Sequence, residues 1–280
     1  MKYRIEKNTV QETLIIPLYA RKVCSALYPN LYRDETAVRL IDEIDYDFSE
    51  AEKKSRSLMQ RFGSLEVAMR QNDLAFEVRD YLKGHPNAAV VNLGCGLDST
   101  GRSCDNGSCK IYNLDFPDVI ALRQQLLPAG EREQNIPCDL KEPAWFDKIN
   151  ASGGAVFFAS GVFYYFLTEQ VRELVQGMAD AFPGGVLVFD AANRTAVKMI
   201  AKTWLRTAKI KDVGAYFAVS DAPQEISAWD SRLQVTSRGY MLGYTDLKDP
   251  SVSGFFRFLA RVGDGMMKMQ IVKIGFGGKQ

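Results

Sequence analysis

Histidine is almost absent from this chain of 280 residues, in which His85 is the only one. A Ser-His-Asp or Cys-His hydrolase needs an imidazole as its base, so any such site would have to be built around this single residue. His85 lies in a Gly-His-Pro-Asn turn, where an ordinary loop residue is expected. The sequence therefore argues against this class of hydrolase.

An excess of positive charge is also missing, and so is any long apolar run. The 35 basic and 34 acidic residues give a formal net charge of +1, whereas nucleic-acid-binding proteins usually carry a basic excess. No apolar stretch approaches the roughly 18 residues that span a bilayer, and the first residues lack the apolar core of a secretory signal. We therefore expect a cytoplasmic protein that binds neither nucleic acid nor a membrane.

Cysteine occurs five times, which is an odd number. In a chain of this length that count does not indicate a disulfide framework, so reduced thiols are expected. Cys104 and Cys109 are close in sequence, but a structural zinc site would need two more soft ligands nearby. We therefore predict no metal site and interpret this segment as a surface loop rich in glycine and asparagine.

The hydrophobic pattern changes near residue 85. Before that point, the apolar spacing within residues 63–83 predicts an amphipathic helix. After it, short apolar runs predict buried strands at residues 88–93, 111–114, 155–159 and 186–189. The periodicity of residues 171–182 predicts a helix between the last two strands. This alternation implies right-handed crossovers and a mostly parallel, doubly wound α/β sheet.

The carboxyl-terminal part follows a different pattern. Residues 233–237 and 267–276 alternate like strands, without a convincing helix between them. We expect these strands to pair antiparallel at the edge of the sheet. Residues 194–230 contain several aromatic side chains, and we interpret them as an insertion over the active face.

A pair of glycines follows the first predicted strand, in the segment GCGLD at residues 94–98. Glycines let the backbone turn tightly and approach a ligand without a Cβ clash. A dinucleotide fingerprint requires glycine or alanine where this chain has Ser99, and Asp98 would repel a pyrophosphate. The Asp98 carboxylate suits the ammonium group of a methionine moiety instead. A purely structural turn is the alternative.

A second acidic residue, Asp115, ends the next predicted strand. A carboxylate at this position can accept hydrogen bonds from both ribose hydroxyls of a nucleoside. The alternative is a cap for the helix that begins at Phe116-Pro117, and one residue can serve both roles. Together with the glycine turn, Asp115 favours a nucleoside cofactor.

Two further segments lie where predicted strands end. Asp139, in the segment Cys-Asp-Leu, can accept a hydrogen bond from an adenine amino group, although an Asx turn also explains it. Ser160 and Gly161 are small enough for a cofactor to lie close to the backbone. The aromatic residues 163–165 would then shape an apolar pocket, or they belong to the core.

These segments, in this order, resemble the leucine carboxyl methyltransferase family, particularly its tetracenomycin-type polyketide O-methyltransferases. The resemblance rests on VVNLGCGLDST, NLDFP, CDL before Trp145, SGVFYYF and FPGGVLVFDAAN, and it extends to TLIIPLYARK and MRQNDLAF near the amino terminus. It implies a class I S-adenosylmethionine methyltransferase fold with seven strands, the last antiparallel. Residues 1–85 would form a helical N-terminal cap, and residues 86–280 the catalytic domain that binds S-adenosylmethionine.

The resemblance also implies an enzyme that transfers a methyl group from S-adenosylmethionine to an oxygen of a small-molecule acceptor, typically a carboxylate. In MRQNDLAF, Arg70 resembles the family's arginine that holds the cofactor carboxylate. We expect the cofactor to contact Arg70, Gly94, Cys95, Gly96, Asp98, Asp115, Phe116, Asp139, Leu140, Ser160 and Gly161. We expect the acceptor to contact Tyr19, Phe163, Tyr164, Tyr165 and Arg194.

The kind of acceptor determines whether a general base is needed. A carboxylate is already ionised at neutral pH and needs none, in agreement with the scarcity of histidine. A phenol or an alcohol would need a base, which a tyrosine or an aspartate near the pocket would have to supply. A non-catalytic nucleoside-binding protein of the same fold is the alternative from another class. A nicotinamide oxidoreductase is disfavoured by Asp98 and Ser99, and the oligomeric state is not indicated.

Overall fold

The computed structural model of the chain describes residues 2–5, 10–200, 216–245 and 247–277. The insertion predicted for residues 194–230 is therefore only partly described, because residues 201–215 lie outside these ranges. Among the described helices, none has the length and apolar character that crossing a membrane requires.

The amino-terminal part of the chain is helical. Its helices are α1 (Val10–Leu27), α2 (Glu35–Glu43), α3 (Ser49–Ser55) and α4 (Leu58–Gly84). Helix α1 packs against both α2 and α4. Two short strands, β1 (Tyr3–Arg4) and β2 (Ile44–Asp45), form a separate parallel pair.

Helix α4 begins earlier than the sequence predicted. The expected helix started at Gly63, whereas α4 begins at Leu58 and continues through that glycine. The Ser57 hydroxyl accepts a hydrogen bond from the Gln60 N–H at 3.3 Å and caps the first turn. Glycine is uncommon inside helices, so the sequence pattern indicated Gly63 as the boundary of this helix, although α4 continues through it to Leu58.

A mixed sheet forms the centre of the described structure. Its strands are β3 (Ala89–Leu93), β4 (Lys110–Asp115), β5 (Glu133–Pro137), β6 (Ala155–Ala159), β7 (Val186–Ala191), β8 (Leu233–Gly239) and β9 (Gln270–Phe276). They lie in the order β5-β4-β3-β6-β7-β9-β8, in which β9 is antiparallel to both of its neighbours and the other pairs are parallel. The predicted seven-stranded sheet with an antiparallel last strand is confirmed.

The two faces of this sheet are covered by different helices. The later helices are α5 (Thr100–Ser103), α6 (Pro117–Leu126), α7 (Thr168–Ala181), α8 (Arg194–Ile200), α9 (Ala222–Ser227) and α10 (Gly254–Gly265). Side chains alternate between faces along a strand. Phe157 of β6 therefore packs in one cluster with Met178 of α7, while the adjacent Phe158 packs in another with Val78 of α4.

The sheet's order reverses between β3 and β6. On one side the chain moves outward through β4 and β5. On the other it passes from β7 to the edge strand β8 and then returns to β9, which lies between them. In an open α/β sheet, ligands bind at the carboxyl ends of the strands beside such a reversal. The fold therefore brings the loops after β3, β4, β6 and β7 to one edge.

One sequence-based expectation for the carboxyl-terminal part was wrong. Helix α10 lies between β8 and β9, where no helix was expected, because its glycines and its exposed Phe255 and Phe258 obscure the apolar periodicity. The segment between Cys104 and Cys109 is a loop with residues 106–108 exposed, as expected, but the two cysteine side chains are buried against the sheet. All five cysteines carry free thiols.

The apolar face of α10 should contribute measurably to stability. Phe256 is 2% exposed, and its ring packs edge-on against Phe62 of α4 with ring centroids 5.5 Å apart. We expect Phe256→Ala to lower the free energy of unfolding by about 3–5 kcal/mol, measured by urea denaturation. The control is Phe255→Ala, which removes the same ring from a side chain that is 50% exposed. It should stay within about 0.5 kcal/mol of the parent, and equal losses would contradict the packing of α10.

Candidate cofactor and active site

The turn after β3 requires glycine at two positions. Gly94 has φ +65° and Gly96 has φ +45°, which is the left-handed region that favours glycine. A Cβ on Gly94 would lie 2.6 Å from a methyl carbon of Val162. Between them, the Cys95 side chain is buried, and its N–H donates to the Leu114 carbonyl oxygen at 2.9 Å. Cys95 can therefore offer only its backbone to a ligand.

Two buried arginines donate hydrogen bonds to the carbonyl oxygens of this turn. Arg123 of α6 is 1% exposed, and its Nη1 donates to the carbonyl oxygens of Gly96 at 2.9 Å and Asp98 at 2.7 Å. Arg21 of α1 donates from Nη2 to the Leu97 carbonyl oxygen at 3.0 Å. Consecutive carbonyl oxygens of the turn are thus fixed by guanidinium groups from two helices. Sequence reasoning missed both arginines, since nothing in their local sequence distinguishes them from surface residues.

Asp98 belongs to a polar network that joins α4 to two strand ends. Its Oδ1 accepts from Gln71 Nε2 at 2.7 Å and from the Thr100 hydroxyl at 2.8 Å, and its Oδ2 accepts from Asn92 Nδ2 at 3.1 Å. The Gln71 Oε1 in turn accepts from the Ser160 hydroxyl at 2.6 Å. The predicted residues Asp98 and Ser160 are therefore linked through Gln71, which the sequence analysis did not single out.

Asp115 supports the glycine turn from the end of β4. Its Oδ2 accepts from the Gly96 N–H and its Oδ1 from the Phe116 N–H, each at 2.8 Å. Burial raises the pKa of Asp115, and these two hydrogen bonds act in the opposite direction. Helix α6 begins at Pro117, with Phe116 as its N-cap residue. The Phe116 ring is 46% exposed beside the carboxylate.

Asp139 and Leu140 follow β5 and differ in their surroundings. The Asp139 Oδ1 accepts from the Lys141 N–H at 3.0 Å, which is the Asx-turn geometry considered as an alternative. The Leu140 side chain is buried in the core, and its carbonyl oxygen accepts from Trp145 Nε1 at 3.3 Å. Of these two side chains, Asp139 is partly accessible and Leu140 is not.

Arg70 of α4 reaches the carboxyl ends of β6 and β7. Its Nη1 lies 3.0 Å from Asp190 Oδ2, and Asp190 Oδ1 accepts from the Gly161 N–H at 2.6 Å. Tyr164 also hydrogen-bonds to Asp190. Burial acts to lower the pKa of Arg70, but the charges of Asp190, Tyr240 and Tyr164 and the hydrogen bond to Asp190 together outweigh burial and raise it. The Arg70 Nε is buried without a hydrogen-bond partner among the described residues.

The aromatic segment after β6 divides between core and site. Phe163 lies in the core, with its ring centroid 4.9 Å from that of Phe189. Tyr164 is buried and Tyr165 is exposed, and the charges of Arg70 and Asp190 influence the pKa of both hydroxyls. The structure therefore brings these tyrosines to the Arg70–Asp190 pair and places Phe163 behind them.

Tyr19 and Arg194 are the other residues predicted for the acceptor, and they lie on α1 and at the start of α8. The Tyr19 ring stacks on Phe48 with centroids 5.4 Å apart, within a cluster of the amino-terminal helices. Arg194 is exposed at the start of α8. Neither residue has a described contact with the Arg70–Asp190 pair.

The backbone features of this edge fit S-adenosylmethionine. The glycine turn leaves no Cβ at two positions, and Asp115 stands at the end of the adjacent strand. At the other end of the site, the partnerless Nε of Arg70 can still donate a hydrogen bond. These groups match a nucleoside at one end of a ligand and a carboxylate at the other.

Solved structures with the same fold define the class. A candidate methyltransferase from Thermobifida fusca superposes with a TM-score of 0.60 over 92% of this chain and 94% of its own, at 15% identity. The plantazolicin methyltransferase BamL, solved with S-adenosylhomocysteine, superposes with a TM-score of 0.52 over 96% of this chain and 98% of its own, at 13% identity. The chain has the class I S-adenosylmethionine methyltransferase fold.

Sequence comparison then shows the family. The profile of the leucine carboxyl methyltransferase family matches residues 17–179. The tetracenomycin polyketide synthesis O-methyltransferase TcmP of Streptomyces glaucescens is 30% identical over 188 residues, which are 67% of each chain. The chain belongs to the leucine carboxyl methyltransferase family and is an S-adenosylmethionine-dependent methyltransferase.

The close approach of Arg70 to Gly161 gives a test of the site. Gly161 has φ +71°, and a Cβ there would lie 3.1 Å from Arg70 Nη1. We expect Gly161→Ala to destabilise the protein by about 1–2 kcal/mol through backbone strain and also to weaken binding of S-adenosylhomocysteine, measured by calorimetry. Gly184 is the control, since it has φ +80° but no atom near its Cβ position. Gly184→Ala should show the strain and keep the affinity, and equal affinity losses would refute the contact.

Proposed function

We propose that this enzyme transfers the methyl group of S-adenosylmethionine to a carboxylate oxygen of a small-molecule acceptor. The observation that carries the proposal is the buried Arg70–Asp190 pair at the carboxyl ends of β6 and β7. Support comes from the name of the family, which describes carboxyl methylation, and from TcmP, which is described as an O-methyltransferase.

The cofactor would lie along the edge from Asp115 to Arg70. Asp115 would accept from the ribose hydroxyls, and the exposed Phe116 ring would cover the base near Asp139. The backbone of residues 94–96, of Leu140 and of Gly161 would line its path. Asp98 and Ser160, positioned through Gln71, would face the amino group of the methionine moiety. Arg70 would hold the methionine carboxylate.

When it is bound, S-adenosylmethionine supplies a methyl group that is electrophilic because it is attached to a sulfonium centre. The chain's contribution is to align an acceptor oxygen with that methyl group and to exclude water. Burial raises the pKa of the Tyr164 and Tyr240 hydroxyls well above the ordinary tyrosine range. Both therefore stay protonated at neutral pH and act as hydrogen-bond donors. This favours an acceptor that is already ionised.

Methylation of a phenolic hydroxyl is a second candidate reaction, which one observation favours. Glu66 lies one turn before Arg70 on α4, close enough for the Arg70 charge to affect its titration. Burial raises the pKa of Glu66 to about 7, and the charge of Arg70 acts in the opposite direction. A carboxylate with this pKa is matched to the work of a general base at neutral pH.

The stability of the product to alkali separates the two reactions. We expect methylated products, identified by mass spectrometry from mixed aromatic acids and phenols, to be esters that mild alkali hydrolyses. Aryl methyl ethers survive this treatment, so alkali-stable products alone would refute the carboxylate proposal. Release of S-adenosylhomocysteine without a methylated acceptor would refute both reactions.

Glu66→Gln provides an independent measurement of the same question. With a carboxylate acceptor, we expect kcat to change little across pH 6–9, because no proton has to be removed. If Glu66 is the base for a phenol, kcat in the parent enzyme should rise with pH to a plateau above about 7, as the carboxyl loses its proton. In that case Glu66→Gln should lower kcat by about 10²- to 10⁴-fold.

Arg70→Lys tests which group of the cofactor Arg70 holds. A lysine can keep one ion pair with Asp190, but it lacks the planar fork that would serve a second carboxylate. We expect binding of S-adenosylmethionine and S-adenosylhomocysteine to weaken by about 1.5–3 kcal/mol, measured by calorimetry. Decarboxylated S-adenosylmethionine should bind parent and variant almost equally.

The control for this measurement is Arg79→Lys on the same helix. The Arg79 Nη2 donates to the Ser103 carbonyl oxygen at 3.0 Å, away from the strand ends. This variant should bind all three ligands as the parent does. Equal losses for the three ligands in Arg70→Lys would mean that Arg70 supports α4 and contacts no cofactor carboxylate.

A further inference from the structure

A cavity that is open to solvent lies beside α4, away from the cofactor edge. It has a volume of about 500 Å³, within the range of small-molecule sites. Its wall combines aromatic side chains with charged ones, among them Asp73, Phe76, Arg79, Asp80, Lys83 and Tyr244. None of these belongs to the edge formed by residues 94–98, Asp115, Ser160 and Asp190.

Asp73 is the unusual member of this wall. It is 3% exposed, and its Oδ2 is buried without a hydrogen-bond partner among the described residues. A buried carboxyl group is normally paired or hydrogen-bonded, since leaving it without a partner costs free energy. Burial, together with the charges of Asp264 and Glu77, raises the pKa of Asp73 to about 9.

The neighbouring carboxylates already have partners. Glu77 accepts from the Tyr244 hydroxyl and from Lys273 Nζ, each at 2.8 Å. Asp264 of α10 accepts from the backbone N–H groups of residues 241 and 242 at 3.1 Å and 2.8 Å. Asp73 is therefore the carboxyl group of this cluster whose hydrogen bonding is incomplete.

The cations around the cavity are engaged elsewhere. Arg79 donates to Ser103, and Lys83 Nζ lies 3.1 Å from Asp80. On the adjacent strands, Lys273 pairs with Glu77, and the Arg238 guanidinium lies over the Tyr244 ring at 5.3 Å. None of these cations is described as paired with Asp73, so a ligand can supply the partner that its carboxyl group lacks.

The aromatic part of the wall indicates the rest of that ligand. The Phe76 ring is 46% exposed, and its centroid lies 5.4 Å from that of Tyr244, at an edge-on angle of 68°. Exposed aromatic faces bind apolar groups and also attract cations. A carboxyl group without a partner, in a wall that also holds two aromatic rings, thus matches a molecule with an apolar body and a positively charged end.

We propose that this cavity, built from Asp73, Phe76 and Tyr244, is a binding site for a small organic ammonium ion with an aromatic or aliphatic body. The ammonium group pairs with the Asp73 carboxylate, and the body packs against the two rings. Because the Asp73 carboxyl is protonated at neutral pH before binding, formation of the ion pair releases its proton to solvent. The site is separate from methyl transfer and does not depend on the acceptor proposed above.

The test is calorimetry on the full-length protein with 2-phenylethylammonium as the probe, at pH 7, in two buffers of different ionisation enthalpy. We expect saturable binding and release of close to one proton per probe bound. The neutral analogue 2-phenylethanol should bind at least about tenfold more weakly, because it cannot form the ion pair. Saturating S-adenosylhomocysteine should leave the affinity for the probe unchanged.

Two variants isolate the proposed contact. Asp73→Asn keeps the shape of the neutral side chain, so it should fold with a Tm at least equal to that of the parent at pH 8. It should bind the probe at least about tenfold more weakly and release no proton. Asp80→Asn, which alters an exposed carboxylate at the rim, should retain both the affinity and the proton release.

Several results would overturn the proposal. No saturable binding of the probe at millimolar concentration would do so, as would unchanged affinity in Asp73→Asn. Displacement of the probe by S-adenosylhomocysteine would place it in the cofactor site instead. Binding without proton release would mean that the ammonium group does not meet the Asp73 carboxyl.

Discussion

The ion pair between Arg70 and Asp190 is the interaction on which the site depends. It joins the middle of α4 to the end of β7, and through Asp190 it also orders the Gly161 N–H and the Tyr164 hydroxyl. Removing one partner of a buried pair leaves an uncompensated charge, which typically costs about 3–5 kcal/mol. The group proposed to hold the cofactor carboxylate is therefore also a structural bond between helix and sheet, so stability and cofactor affinity are coupled here.

A second set of contacts ties the same helix to the glycine turn. Gln71, the residue after Arg70, connects Asp98 with Ser160, while Arg123 and Arg21 bind carbonyl oxygens of the turn. A loop with left-handed glycines has no intrinsic preference for one conformation, because glycine loses more conformational freedom on folding than other residues. Charged donors from other elements supply the constraint that the loop itself lacks.

Helix α4 carries acidic side chains in three different situations. Glu77 is bound by a lysine and a tyrosine. Glu66 is partly buried and Asp73 is buried, and the pKa values of both are raised above the ordinary range of carboxyl groups. A buried acid without a partner is costly, and it becomes favourable when a ligand supplies the missing charge or proton acceptor. Asp73 therefore marks the place on the helix where a buried carboxyl group has no hydrogen-bond partner among the described residues.

The sequence by itself determined the sheet and its edge. Short buried runs ending in GCGLD, Asp115 and Ser160-Gly161 were sufficient because apolar periodicity and glycine turns are local properties.

Only the tertiary structure decided the rest. Asp190 meets Arg70 from 120 residues away, and Arg123, Arg21 and Gln71 reach the turn from separate helices. Helix α10 and the burial of Cys104 and Cys109 were likewise decided by what packs against them. Whether a polar side chain is solvated or buried in a network depends on elements that are distant in sequence. The residues next to that side chain in sequence do not indicate which elements will pack against it.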